Sequence, residues 1–228
     1  MKYKAIFFDR DNTLLYFNPE KFRWRNEKIK EWTGNDYNLS YDKMIEIFSR
    51  AGYPAGGIKS IEQEKLIFRN FYNELLKEFG VKNNMDEKSK ILFDELWCNN
   101  NSLLFEEVVE ILEYFKQRGY KLGVISDTSP SLQLTIEQAG ISKYFDSYTC
   151  SDLVGVSKPD PLIYNTALKT LDVKAEESIY VDDYDVEADG ARNLGFLSFH
   201  IDRSGKKETE WDIKSLKEII YYLEEHTN

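Results

Sequence analysis

The sequence predicts an α/β fold in which a parallel sheet carries a helical insertion directly after its first strand. From residue 103 onward, apolar runs of strand length alternate with amphipathic helical patterns, as in β-α-β units. Ala5–Phe8 is a wholly apolar run, typical of a strand buried on both faces. No second strand and crossover helix follow it before residue 102. The first strand must therefore join the later sheet, and residues 16–101 are most simply an insertion.

The regular part of the chain supplies the remaining strands and the helices that cover them. The predicted later strands are residues 120–125, 147–149, 178–181 and 196–201. The predicted helices are residues 105–115, 130–139, 161–171, 184–194 and 213–223. Ser129 is placed as the N-cap of the second of these helices, with Pro130 in its first turn.

The insertion is aromatic, charged and helical in pattern. Apolar residues recur every four positions between Ile67 and Phe79, which predicts a helix over residues 62–79. Further helices are predicted over residues 41–50 and 87–97, and the polar tract Asn99–Ser102 suits a hinge. The predicted organisation is therefore a core made of residues 1–15 and 102–228, with a helical cap at residues 16–101.

Composition limits the possible partners. The 228 residues are 42 % hydrophobic, enough for a sizeable core, and the net charge of −10 argues against nucleic-acid or membrane-surface binding. Cys98 and Cys150 lie far apart and form neither a metal motif nor a disulfide framework. No signal segment or membrane-spanning run is evident. We expect a cytoplasmic monomer or homodimer that acts on a small molecule.

Two aspartates follow the first strand. Asp9 and Asp11 are spaced i, i+2 at the carboxyl end of that strand, where ligand sites of open α/β sheets lie. Carboxylates so close together need a shared proton or a cation, and hard oxygen ligands suit Mg²⁺. The alternative is that both are ordinary turn residues.

Other strand ends carry polar residues as well. Ser126 and Asp127 end the second core strand, Lys158 precedes the helix at residues 161–171, and Asp182 and Asp183 end a third strand. Taken singly, these residues have simpler interpretations as helix capping, a surface lysine and a turn. Their joint occurrence at one edge of one sheet favours a functional site.

This set of residues fits phosphoryl chemistry. A carboxylate can attack phosphorus and form an aspartyl-phosphate. Because a phosphate ester is itself anionic, attack by a carboxylate needs Mg²⁺ and a second cation nearby. A second carboxylate can protonate the leaving oxygen and later activate water.

The four segments resemble, in order, the four motifs of the haloacid dehalogenase superfamily. They are DRDNT from Asp9, VISDTSP around Ser126, VSKPD around Lys158 and YVDDYDVEADGARNLG from Tyr180. The resemblance covers about residues 1–15 and 103–228. It implies a three-layer, Rossmann-like parallel-sheet core, with an all-helical cap inserted after the first motif.

The resemblance also implies roles. Asp9 would be the nucleophile and Asp11 the general acid and base. Ser126, with Asp127 beside it, would bind the phosphoryl group, and Lys158 would neutralise charge on the nucleophile and the phosphate. Mg²⁺ would be held by the Asp9 side chain, the Asp11 backbone carbonyl and the fourth motif.

The fourth motif departs from the commonest form of the family. Val181 stands where glycine is frequent, and two aspartates follow it. Aligned on Gly190, Asp182 takes the principal acidic position and Glu187 the second. A shift by one residue makes Asp183 the direct ligand instead. We prefer Asp182 from the sequence.

The resulting prediction is a Mg²⁺-dependent phosphatase of a small phosphorylated metabolite that uses an aspartyl-phosphate intermediate. Asp11 favours ester hydrolysis over dehalogenation, because halide leaves without a proton. A phosphomutase, a phospho-accepting receiver domain and a non-catalytic binding module are the alternatives. The sequence does not name the substrate. The cap offers four arginines as candidates for reading a second anionic group: Arg23, Arg25, Arg50 and Arg69.

Overall fold

A six-stranded parallel sheet forms the centre of the computed structural model, which describes residues 2–205 and 209–226. The strand order is β5-β4-β1-β6-β7-β8. Their bounds are β1 Ala5–Phe8, β4 Lys121–Ser126, β5 Ser147–Cys150, β6 Ser178–Asp182, β7 Leu197–Ile201 and β8 Asp212–Ile213. The first strand of the chain lies in the middle of the sheet, paired with β4 and β6. The α/β fold predicted from the sequence is confirmed.

Helices cover both faces of this sheet. They are α5 Val108–Gln117, α6 Leu132–Gln138, α7 Ser151–Val154, α8 Pro161–Leu171, α9 Asp185–Asn193 and α10 Lys217–His226. All four side chains of β1 are fully buried. Ile6 and Phe8 pack in the apolar cluster that includes α5 and α10, whereas Phe7 packs on the other face with α8. This three-layer arrangement explains why β1 has no polar face.

The insertion consists of four helices around an apolar cluster of its own. They are α1 Pro19–Thr33, α2 Tyr41–Arg50, α3 Ile61–Glu78 and α4 Met85–Leu96. Ile29, Ile47, Leu76 and Leu92, one from each helix, are fully buried in that cluster. The three helices predicted in this region lie within two residues of α2, α3 and α4. The first helix, which begins at Pro19 after the N-cap Asn18, was not located from the sequence.

A two-stranded antiparallel ribbon joins the insertion to the core. It is formed by β2 Leu15–Phe17 and β3 Ser102–Leu104. The Asn18 backbone N–H donates to the Asn101 carbonyl at 2.7 Å, so the two ends of the insertion lie side by side. Strands of three residues are too short to produce a periodic signal, and the sequence predicted only a hinge here.

Three core helices begin two to four residues later than predicted, and one of them is α5, which starts at Val108 rather than at residue 105. Helix α6 starts at Leu132 rather than at residue 130, and the residue before it is Ser131 rather than Ser129. The insertion contacts the core at this point, because Glu64 accepts hydrogen bonds from the Ser131 N–H and hydroxyl. Helix α10 starts at Lys217 because Ile213 pairs with Ile201 in the sheet. Within residues 2–205 and 209–226, every helix is too short or too polar to cross a membrane.

Candidate active site

The predicted site residues gather at the carboxyl edge of β1, β4 and β6. Phe8 pairs with Val124 on one side and with Val181 on the other, so the residues that follow these positions are neighbours. The Asp9 N–H donates to the Val181 carbonyl at 2.8 Å, which holds Asp9 beside Asp182. The structure therefore brings the first and fourth motifs together at one point.

Lys158 lies at the centre of a buried charge network. Its ammonium donates to Asp9 Oδ1 at 2.8 Å and to Asp182 Oδ2 at 2.7 Å, and it pairs with Glu187 Oε2 at 2.6 Å. Burial alone lowers the pKa of the ammonium, but Tyr180 and the three carboxylates together raise it well above its usual value. Lys158 is therefore a permanent cation behind the Asp9 carboxylate.

Gly190 allows the loop that carries Lys158 to approach α9. A Cβ at Gly190 would lie 2.5 Å from Pro159 Cβ, closer than carbon atoms can approach without a shift. The same close approach brings Glu187, one turn earlier on α9, within reach of Lys158. Glycine at this position therefore helps to complete the charge network.

Asp9 is the buried carboxylate at the end of β1. Its exposure is 5 %. Burial raises the pKa of the Asp9 carboxyl to about 8, and Asp182 and Asp11 act in the same direction against the opposing effect of Lys158. Asp9, Asp182 and Glu187 share the single ammonium of Lys158, so a further cation would be stabilised here.

Three carboxylates can hold such a cation. One oxygen each of Asp9, Asp182 and Asp183 lies within 4.8 Å of the others. Oxygen donors alone, with three negative charges, match the preference of Mg²⁺ for hard ligands. These residues fit the metal that the resemblance implies.

Asp182 and Asp183 are used differently. Asp182 is fully buried: one of its oxygens accepts from Lys158 and the Tyr180 hydroxyl, and the other accepts from the Tyr184 N–H at 3.0 Å. Asp183 is half-buried, and one of its oxygens accepts from the Asn12 side chain at 2.9 Å. Asp183 is therefore the freer of the two to bind a metal.

Asp11 lies on the exposed side of the same loop. Arg10 binds its carboxylate with two hydrogen bonds, Nε to Oδ1 at 3.0 Å and Nη2 to Oδ2 at 2.7 Å. A further nitrogen of Arg10 donates to Thr135 Oγ1 at 3.3 Å. Arg10 thereby orients Asp11 from the core side of the site.

Arg203 holds the other end of this loop. Its Nε donates to the Asn12 carbonyl at 2.9 Å, and another of its nitrogens donates to the Thr13 carbonyl. Glu107 accepts from the same guanidinium at 2.8 Å. Asn12 has a φ of 53°, a left-handed conformation that asparagine tolerates better than most residues. The loop that follows Asp9 is thus fixed by a residue from the segment after β7.

Ser126 and Asp127 end β4 next to this loop. Ser126 is buried, two positions beyond the last residue of β4 that pairs with β1. Asp127 is exposed, and its Oδ1 accepts from the Lys158 backbone N–H at 3.0 Å. Asp127 therefore orients the loop that carries Lys158, a contact that the sequence did not predict.

A cavity of about 370 Å³ lies between this edge and the insertion. Arg10 and Asp11 contribute to its wall from the core, and the insertion contributes Phe68, Trp97 and the buried Glu64. Glu64 accepts from Trp97 Nε1 at 3.0 Å, from the Ser131 N–H at 2.8 Å and from its hydroxyl at 2.6 Å. One buried carboxylate thus joins α3, α4 and the start of α6.

A second contact holds the insertion against the core. The Tyr53 hydroxyl donates to Asp152 Oδ1 at 2.7 Å, and the Lys59 ammonium donates to the Asp152 carbonyl. Gly57, which has a φ of 78°, packs against Asp152. A Cβ at Gly57 would lie 2.7 Å from Asp152 Oδ1, so only glycine fits without a shift. The loop between α2 and α3 therefore packs directly on α7.

The sequence did not single out several residues of this site. Arg10 was visible between the two aspartates but had no assigned role. Glu64 and Arg203 act through contacts between distant segments, and no local pattern marks them. Tyr180 donates to Asp182 two positions along the same strand, but its pattern is that of an ordinary buried strand residue.

Comparisons with known proteins agree with this architecture. The family model of haloacid dehalogenase-like hydrolases matches residues 3–195. The chain is 28 % identical to glyceraldehyde 3-phosphate phosphatase from Methanocaldococcus jannaschii, over 95 % of this chain and 95 % of that protein. It is 32 % identical to (S)-2-haloacid dehalogenase from Pseudomonas sp. (strain YL), over 53 % of this chain and 55 % of that protein.

A solved structure shows the same fold. The HAD phosphatase from Thermococcus onnurineus superposes with a TM-score of 0.65 at 22 % identity, covering 96 % of this chain and 97 % of its own. The family match spans all four motifs and most of the chain. This protein belongs to the haloacid dehalogenase-like hydrolases.

Proposed function

We propose that the protein is a Mg²⁺-dependent phosphatase that hydrolyses a small phosphorylated metabolite through an aspartyl-phosphate on Asp9. The observation that carries the proposal is the buried Asp9 carboxylate, held by Lys158 at 2.8 Å beside two further carboxylates. Membership of a hydrolase family removes the receiver-type alternative, and the phosphatases among its relatives favour phosphate esters.

In the first half of the reaction, an Asp9 oxygen forms a bond to phosphorus and the bond from phosphorus to the ester oxygen breaks. Asp11 gives its proton to the departing alkoxide. Lys158 limits the repulsion between Asp9 and the phosphate, because its charge lies directly behind the carboxylate. Ser126 binds a phosphoryl oxygen.

In the second half, Asp11 takes a proton from water, and the water oxygen bonds to phosphorus. The bond from phosphorus to Asp9 then breaks, which releases phosphate, restores the Asp9 carboxylate and leaves Asp11 protonated for the next cycle. Arg10 keeps Asp11 at the mouth of the cavity for both proton transfers.

Mg²⁺ would be held by the side chains of Asp9 and Asp183 and by the backbone carbonyl of Asp11. Bound there, it supplies positive charge to the phosphoryl oxygens. Because the oxygens of Asp182 already accept hydrogen bonds, we propose that Asp182 orients Lys158 and the turn at Tyr184. This proposal reverses the order that we preferred from the sequence.

A quenched-flow experiment tests the intermediate. The enzyme is mixed with Mg²⁺ and p-nitrophenyl phosphate, quenched in acid during turnover and mapped by mass spectrometry. We expect a phosphoryl adduct on the peptide that contains Asp9. In parallel, chloride release from 2-chloropropionate is measured and is expected to be absent. Turnover of the phosphate ester with the adduct elsewhere, or chloride release alone, would contradict the proposal.

A further inference from the structure

The wall of the cavity between the sheet edge and the insertion contains little positive charge. Among the residues that the structure describes, Arg10 is the only lysine or arginine in its wall. Both its Nε and Nη2 already bind Asp11, at 3.0 and 2.7 Å, and Nη1 faces Thr135 at 3.3 Å. The only cation of this wall is thus neutralised by an adjacent carboxylate.

The insertion adds a negative charge to the same wall. Glu64 is 1 % exposed, and its carboxylate accepts from Trp97 Nε1 and from the N–H and hydroxyl of Ser131. All three donors are neutral, so the hydrogen bonds stabilise the charge without cancelling it. Among the residues that the structure describes, a second anion in the cavity would meet the Glu64 carboxylate, and the wall offers it no cation that is not already paired.

The arginines of the insertion do not relieve this imbalance. None of the four that the sequence analysis proposed lines the cavity. Arg23 pairs with Glu20 at 3.0 Å, and Arg50 pairs with Glu46 at 2.7 Å. Arg25 and Arg69 stack on Tyr37 and Phe93, as their guanidinium carbons lie 3.8 and 4.7 Å from the ring centroids.

The rest of the wall is suited to an uncharged carbon chain. Phe68, Leu96 and Trp97 provide apolar surface, whereas Ser102 and Gln138 are neutral polar residues. The Gln138 amide is hydrogen-bonded to the backbone of Cys98 and Asn100. Lys65, which is outside this wall, holds its ammonium 5.3 Å from the Trp97 ring centroid. Apolar surface with a few neutral polar groups favours a hydroxyl- or carbonyl-bearing substrate over one with a second acid.

We propose that the enzyme selects phosphomonoesters whose alcohol portion carries no negative charge, and that it discriminates against substrates with a second carboxylate or phosphate. This inference rests on the proposed phosphatase function and extends it to the substrate class. Two residues account for the discrimination. Glu64 adds negative charge to the cavity, and the charge of Arg10 is neutralised by its ion pair with Asp11.

Matched substrate pairs test the proposal on the unmodified enzyme. D-glyceraldehyde 3-phosphate is compared with D-3-phosphoglycerate, and 2-hydroxyethyl phosphate with phosphoglycolate; each pair differs at one terminal group. We expect kcat/KM to favour the neutral member by about 100-fold, because juxtaposing like charges in a site costs several kcal/mol. Equal kcat/KM within both pairs would overturn the inference and leave the phosphatase function intact. Failure to hydrolyse any of the four esters or p-nitrophenyl phosphate would overturn both.

An added cation gives a second test. Gln138 lines the cavity, whereas Gln133 lies on the same helix outside its wall and donates to Glu137 at 2.9 Å. We expect Gln138→Arg to raise kcat/KM for phosphoglycolate by about 10-fold, the effect of one favourable charge contact. Gln133→Arg, the matched control, should leave it unchanged. An equal rise in both variants would contradict the proposal, because it would reflect net charge and not the cavity.

Discussion

Charged residues are arranged in opposite ways in the two halves of the molecule. At the carboxyl edge of the sheet, Asp9, Lys158 and Asp182 are at most 7 % exposed, and both aspartates form ion pairs with Lys158. On the helical insertion, ion pairs such as Arg50 with Glu46 lie at the surface, with side chains 35 % and 52 % exposed. Burying charges costs several kcal/mol per ion, whereas exposed pairs contribute little to stability.

The difference shows where each half can change. In the buried network each carboxylate is stabilised by its ion pair with Lys158, and the Lys158 ammonium is stabilised by the carboxylates, so no member can be changed alone. The insertion is held together mainly by apolar and aromatic packing, for example Phe48 stacked on Phe71 with ring centroids 4.1 Å apart. Substitutions at the sheet edge should therefore alter chemistry and stability together, and substitutions on the insertion should mainly alter substrate choice.

The largest effect should come from Asp9→Asn. The variant keeps the shape of the side chain but has no nucleophile, so kcat for p-nitrophenyl phosphate should fall by at least about 1,000-fold. Asp36→Asn, on an exposed residue of the insertion paired with Lys30, is the control and should retain full activity. Circular dichroism checks that both variants fold. Near-wild-type turnover by folded Asp9→Asn would remove Asp9 from the mechanism.

Lys158→Met tests the buried network itself. Removing this cation leaves three carboxylates crowded together, and we expect the free energy of unfolding to fall by about 3 kcal/mol. Lys77→Met is the matched control: that lysine pairs with Glu74 at 2.5 Å and its side chain is 56 % exposed. Its loss should change stability by less than about 0.5 kcal/mol. Urea unfolding measures both, and equal losses would contradict the contrast between the two halves.

Metal binding separates the two aspartates of the fourth motif. We expect Asp183→Asn to raise the Kd for Mg²⁺ by about 100-fold and Asp182→Asn by about 10-fold, the range for ligands and their supporting partners. Isothermal titration calorimetry measures both constants, and chelation of the metal should abolish turnover. A larger rise in Kd in Asp182→Asn than in Asp183→Asn would favour Asp182 as the direct metal ligand, as preferred from the sequence.

The same titration should depend on pH. Burial raises the pKa of Asp9 to about 8 in the metal-free protein, so a proton occupies this carboxylate below that value. Metal binding requires the deprotonated form and releases the proton. The apparent affinity for Mg²⁺ should therefore weaken as pH falls below about 8. An affinity that is constant between pH 6 and 8 would contradict this.

Removal of the insertion should have the smallest effect on metal binding by the core. Residues 18–101 are replaced by a short Gly/Ser linker, which retains β2 and β3. Because the retained ends, Phe17 and Ser102, are paired in the ribbon, the linker joins neighbouring positions. The core should still bind Mg²⁺ but should lose most discrimination between neutral and anionic esters, and much of its rate. Unchanged relative rates across substrates would show that the insertion does not select them.

The sequence predicted the core edge well and the contacts of the insertion poorly. Apolar runs that end in acidic residues located Asp9, Asp182 and Asp183, because strand ends in a parallel sheet converge. Helix α6 starts after Ser131 rather than Ser129, and Glu64, on another part of the chain, binds the Ser131 N–H, a contact that no local pattern shows. The proposal that Asp183 rather than Asp182 binds the metal rests partly on the hydrogen bond from the Tyr180 hydroxyl to Asp182. No sequence motif encodes the orientation of that hydroxyl.

The hydrogen bonds of Arg203 show that the loop after Asp9 depends on a residue outside the recognised motifs. The family match ends at residue 195, and every recognised motif lies within it. Yet Arg203, beyond that boundary, binds the carbonyls of Asn12 and Thr13 in the loop that follows Asp9. A protein shortened to the matched segment would keep all four motifs and lose this support. The complete set of motifs is therefore smaller than the complete catalytic unit.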